Sequence, residues 1–166
     1  MPDDPPVLIR PAGADDLPVL GRLGAMLVRM HHDFDPLRFI EAVPEMERLY
    51  ADFLGRQLAD PAADVLVAER GGEVIGYAYA AMVPHDYMAL RGPAGVLNDI
   101  LVDPVHRGQG IGRLLLDAAL AALRARGAPR VVLSTAQRNE NAQRMFERAG
   151  FRRTMIEMTR ELEGES

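Results

Sequence analysis

Apolar positions along the chain fall into short blocks that switch between two periods. Val7-Leu8-Ile9-Arg10 is a compact apolar run ended by Pro11 and predicts an opening strand. After Ala14-Asp15-Asp16 the period becomes helical, with Leu17, Leu20, Leu23 and Leu27 on one face and Asp15 or Asp16 placed to cap. His31 to Pro44 has little periodicity and is expected to be loop. A second helix is expected from about Pro44 to Leu58, burying Met46, Leu49, Phe53 and Leu54.

Asp64–Arg70 and Glu73–Val83 read as strands joined by Gly71-Gly72, a two-residue hairpin signal. Pro84 to Gly95 is rich in turn formers. Val96–Val102 is an apolar strand stopped by Asp103-Pro104. Gly110–Arg126 carries the strongest helical pattern, with Leu114, Leu115, Ala118, Leu120, Ala121 and Leu123 expected on its buried side and Gly127 closing it. A short strand at Arg130–Ser134, a helix at Asn139–Ala149 closed by Gly150, and a final strand at Phe151–Leu162 complete the chain. The expected order is β-α-α-β-β-β-α-β-α-β. The strand–helix–strand unit from Val96 to Ser134 requires a parallel pair with a right-handed crossover. The fold class is therefore α/β, a mixed and twisted sheet with helices on both faces. No repeat or linker divides it, so residues 1–166 are expected to form one domain.

Composition narrows the chemistry. The 166 residues are 48% hydrophobic and 26% charged, an ordinary globular balance with no apolar run near the ~20 residues needed to span a bilayer. The acidic, proline-rich start is unlike a signal peptide, so a cytoplasmic protein without a membrane partner is expected. A net charge of −5 disfavours a nucleic-acid partner, because such binding rests on neutralising phosphates. There is no cysteine, which removes thiolate nucleophiles and cysteine-based metal sites, and no metal centre is expected. All 19 basic residues are arginine, so lysine Schiff bases and a P-loop lysine are excluded.

The segment Asp103-Pro104-Val105-His106-Arg107-Gly108-Gln109-Gly110-Ile111-Gly112-Arg113 follows a strand and opens the strongest helix. The first turn of a helix carries unpaired N–H groups and the positive end of its dipole. Three glycines there let the backbone approach an anion closely, which suits a phosphate or pyrophosphate. A P-loop would need Gly-Lys-Ser/Thr, and a dinucleotide fingerprint would need glycine where Arg113 stands.

What remains is Arg107-x-x-Gly110-x-Gly112. It resembles the Arg/Gln-x-x-Gly-x-Gly/Ala motif of the GNAT superfamily of N-acetyltransferases. Leu97 to Pro104 resembles that family's fourth strand. Asn139-Glu140-Asn141-Ala142 through Phe146 to Gly150-Phe151 resembles its second signature. The resemblance is specific over about residues 96–152. It implies acetyl-CoA as cofactor and transfer of an acetyl group to a primary amine, on a small molecule or peptide, by direct attack in a ternary complex. The absence of cysteine agrees with having no acyl-enzyme. A homodimer is common in the family, and the final strand would offer an edge for one.

The resemblance assigns roles residue by residue. Backbone amides across Gly108, Gln109, Gly110, Ile111 and Gly112 would cradle the pyrophosphate, flanked by Arg107 and Arg113. Leu101 and Val102 would pair with the pantetheine arm, and the Leu101 amide would face the thioester oxygen. Asn139, Ala142 and Phe146 would contact the arm. Two departures stand out. Many members carry Glu-Asp on the fourth strand, where this chain has Asn98-Asp99, leaving Asp99 as the expected base. By strand alternation it should face away from Asn98. His85, Asp86, His31 and His32 are the alternatives. The family's acid-donating tyrosine is Phe146 here, so water, Tyr77 or Tyr79 would have to serve. These departures also motivate an alternative reading, a non-catalytic acyl-CoA-binding module.

Overall fold

A computed structural model describes residues 3–163. Five strands form one sheet in the order of the chain: β1 (Val7–Pro11), β2 (Ala63–Arg70), β3 (Glu73–Val83), β4 (Ala94–Val102) and β5 (Val131–Leu133). The first three pairings are antiparallel and β4–β5 is parallel, as the crossover through the helix between them requires. Helices α1 (Leu17–Phe34) and α2 (Met46–Leu58) cover one face. Helices α3 (Ile111–Ala125) and α4 (Glu140–Arg148) lie on the other. No described helix is long and apolar enough to cross a membrane.

Each layer closes where its residues allow close approach. Leu20, Leu23 and Leu54 bury against Val67, Tyr77 and Leu101. On the opposite face Leu115, Leu116 and Leu123 pack on Ala78, Ala80 and Leu97. Gly95 admits Leu123 directly onto the strand; a Cβ there would stand 2.8 Å from its Cδ1. Gly24 plays the same part between the helices, where a Cβ would overlap the Tyr50 ring at 1.9 Å.

The structure departs from the sequence pattern in four places. Helix α1 runs to Phe34, so His31 and His32 belong to its last turn instead of a loop. The His31 ring stacks edge-on to Phe34 and Phe39, a tertiary support that periodicity does not register. The buried face of α3 is Ile111, Leu115, Leu116, Ala119 and Leu123, whereas Leu114 and Ala121 are exposed. Apolar residues surround that helix, and the glycine-thinned sheet selects the stripe it can approach most closely. Leu49 of α2 is also exposed, its expected place being taken by Tyr50.

The expected strand at Phe151–Leu162 does not form, and residues 152–163 are exposed without a ladder. Its apolar residues Met155, Ile156 and Met158 fall on both faces of an extended chain, so no register buries them. Ion pairs hold the segment instead. Arg153 pairs with Glu147 of α4, and Glu157 with Arg38.

Candidate functional site

The order of the sheet breaks where the glycine-rich segment begins. The β4–β5 ladder covers only Gly95–Leu97 against Val131–Leu133, so the second half of β4 has no partner on that side. Asp103 N–H donates to Ile75 O (2.8 Å), and alternation turns the Leu101 backbone toward β3 as well, opposite Tyr77. The Ile100 and Val102 backbone groups therefore face the gap, not those of Leu101. The Val102 carbonyl, on that side, accepts from Arg107 Nε at 3.2 Å.

A β-bulge causes this change of side. Tyr79 pairs with Asp99 and Ala80 with Leu97, leaving Asn98 as the extra residue. Asn98 and Asp99 both border one cavity. The cavity encloses about 250 Å³. Ile100, Asn139, Ala142 and Phe146 line it on the sheet and α4 side, while Leu27, His31, Phe39 and Ile40 line it on the α1 side.

Asp99 is the polar centre of its wall. Tyr50 of α2 and Tyr77 of β3 both donate to its Oδ2, at 2.5 and 2.9 Å. Burial pushes the Asp99 carboxyl above the ordinary carboxylate range, opposed by the two hydroxyl donors and by His31. Burial and the Asp99 charge together push both tyrosines upward, so they remain protonated donors. His31 Nδ1 bonds to Leu27 O at 2.8 Å. The Tyr79 hydroxyl donates to Gln57 Oε1 at 3.0 Å, and neither Tyr77 nor Tyr79 lines the cavity. Phe146, nearly buried, packs on Phe151 and brings no hydroxyl to the cavity.

Beyond the gap lies the start of α3. Gly110 is its N-cap with φ 78°, Gly108 has φ 77°, and nothing stands within 4 Å of a Cβ placed on either. No side chain caps the helix, so its first-turn N–H groups are left to whatever occupies that space. Gly112 sits against Met145 of α4, where a Cβ would lie 3.2 Å from the sulfur. Gln109 is held by Arg70, whose Nη1 donates to its Oε1 at 2.7 Å. Arg113 bonds Asp117, and Asn139 caps α4 by accepting from Ala142 N.

The remaining sequence candidates are elsewhere. His85 does not line the cavity, and Asp86 closes a local turn with Arg91. His32 Nδ1 bonds Phe39 O. Sequence reasoning missed Tyr50 entirely. It lies 49 residues from its partner Asp99, and only the α2 helical phase hinted that it faces inward.

Comparison with known proteins agrees with this geometry. The model of the acetyltransferase (GNAT) family matches residues 27–151. A mycothiol acetyltransferase of Thermobispora bispora is 38% identical over 99 residues, covering 60% of this chain and 33% of that protein. The chain thus spans about a third of the length of the curated relatives it matches. A GCN5-related N-acetyltransferase from Ralstonia eutropha JMP134 superposes with a TM-score of 0.72 at 27% identity, covering 96% of this chain and 100% of that one. The structure of a predicted acetyltransferase with acetyl-CoA from Clostridium acetobutylicum shares the fold, with a TM-score of 0.73 at 18% identity over 93% and 96% of the two chains.

Proposed function

The chain belongs to the acetyltransferase (GNAT) family, and from that premise we propose that it is a single-domain enzyme transferring acetyl from acetyl-CoA to a primary amine. One observation carries the reading: an unpaired strand edge that borders a lined cavity leads along the chain into an uncapped glycine helix start. The relatives named as acetyltransferases support it.

The residues fit acetyl-CoA in three stages. The amides from Gly108 to Gly112 offer donors and a positive dipole end to the pyrophosphate, with Arg107 and Arg113 close by. The backbone of Ile100 and Val102 offers strand-like hydrogen bonds to the amides of the pantetheine arm. Asn139, Ala142 and Phe146 form the opposite wall. The thioester supplies an activated acyl group and a thiol leaving group.

On this reading the Ile100 amide, which the register turns toward the gap, takes the role the family resemblance gives to Leu101. A fixed donor at the thioester oxygen matters because negative charge develops there as the amine attacks. Removing one such donor costs about 10²–10³ in rate in a well-studied case. With Phe146 in the wall, the thiolate departs without a tyrosine acid. Its ordinary pKa of ~8.5 makes that departure feasible.

The test is free-thiol release from acetyl-CoA in the presence of phenethylamine, spermidine, lysine or a short peptide with a free N-terminus. Amine-dependent release is expected. Acetyl-CoA binding without release by any amine would instead favour a binding module.

A further inference from the structure

Helix α1 ends in a turn whose histidine is held in one chemical form. His31 Nδ1 lies 2.8 Å from the carbonyl oxygen of Leu27. A carbonyl only accepts, so Nδ1 carries the hydrogen of the neutral ring and Nε2 carries the lone pair. Nε2 has no hydrogen-bond partner among the described residues. Phe39 at 5.0 Å and Phe34 at 5.9 Å fix the ring plane. The ring lines the cavity that Asn98, Asp99 and Ile100 border from the other side.

Asp99 Oδ2 is already engaged, accepting from the hydroxyls of Tyr50 and Tyr77. Asp99 borders the same cavity as His31. His31 is an imidazole with a fixed tautomer, oriented by a backbone carbonyl and set in the cavity wall.

We propose that His31 is the catalytic base of the acyl transfer, receiving at Nε2 the proton of the acceptor ammonium. The proposal rests on the acetyltransferase reading and deepens it. The ammonium gives one proton to Nε2, and the freed nitrogen lone pair forms the new bond to the thioester carbonyl carbon. The C–S bond breaks with its electron pair on sulfur. The second proton lost from nitrogen ends on the thiolate, and His31 returns the first to water. Other titratable and charged groups among the described residues approach the ring from several elements. Tyr50 and Tyr77 approach through Asp99, from α2 and β3. His32 and Asp35 flank the same turn. Arg38 lies over Phe39, Arg138 donates to Phe34 O, and Arg107 reaches Met30.

Two readouts test the assignment. In protein with nitrogen-15-labelled histidine, with His31→Gln used to identify the resonances, the neutral ring should show hydrogen on Nδ1 and a bare Nε2. Hydrogen on Nε2 overturns the proposal, and this measurement needs neither acetyl-CoA nor an acceptor. With the amine that turns over fastest, His31→Ala should lower kcat by about 10²–10⁴ with little change in KM for acetyl-CoA. Added imidazole should restore part of the rate. An unchanged kcat, or a loss that imidazole does not rescue, overturns it. If wild type shows no acetyl-CoA binding, the function reading fails and the catalytic role falls with it, whatever the tautomer.

Discussion

The hydroxyl of Tyr50 on α2 donates a 2.5 Å hydrogen bond to Oδ2 of Asp99 on β4, tying the helical layer to the strand whose bulge opens the site. The second donor, Tyr77, arrives from the neighbouring strand at 2.9 Å. The acidic group at the cavity is thus a node joining three elements as well as a charge.

This node gives stability a pH signature. The Asp99 carboxyl is raised above its ordinary range, so the folded chain binds its proton more readily than the unfolded chain does. The stability contribution is fully present below the unfolded value of ~3.9 and is lost as pH rises through the folded value; each tenfold gain in proton affinity on folding is worth ~1.4 kcal/mol. Asp99→Asn abolishes this slope. The melting temperature of wild type relative to Asp99→Asn should therefore increase as pH is lowered from 8 to 4. Tyr50→Phe, which removes a donor to the charged form, should steepen the trend. A gap that widens toward alkaline pH contradicts the assignment.

Gly24→Ala tests how tightly that node is built. Helix propensity alone favours alanine by about 1 kcal/mol. The added methyl would overlap the Tyr50 ring, so α2 must shift or the ring must turn. A net destabilisation of roughly 1–3 kcal/mol is expected from urea unfolding. A stabilised variant would show that the helices are not in this contact.

Residues 152–163 should be the first to yield to trypsin. They are exposed, lack a ladder, and include Arg152 and Arg153. Mass spectrometry of a brief digest should find cleavage there before any cut within α3, with Arg38→Ala accelerating it by releasing Glu157. Protection of this segment at low protease would mean that it pairs with the sheet after all.

The parts legible in the sequence are those set by local chemistry. The Gly71-Gly72 hairpin, the strand ended by Asp103-Pro104 and the glycine-opened helix α3 follow from neighbouring residues. The bulge at Asn98 has no such signature, and it shifts by one residue the register in which Asp99 and Leu101 pair with β3. His31 lies in helix because Phe34 and Phe39 support it, contacts that no spacing announces. Tyr50, Tyr77 and Asp99 meet only once α2 is packed on the sheet. The final strand failed for the opposite reason, since apolar residues without a buried face leave register undetermined.

The central claim is that the turn from Arg107 to Arg113 holds acetyl-CoA. Thermal unfolding should be followed with increasing acetyl-CoA, with ATP and NAD as controls, for wild type and for Gly110→Glu. A ligand confined to the folded state stabilises it by about 2.7 kcal/mol at a hundred times its dissociation constant, which for a chain of this size is a rise of roughly 5–10 °C. The account predicts that rise with acetyl-CoA alone and its loss in Gly110→Glu, where a side chain fills the open space above the glycine. No shift in wild type at millimolar acetyl-CoA, or an equal shift with ATP, would contradict it.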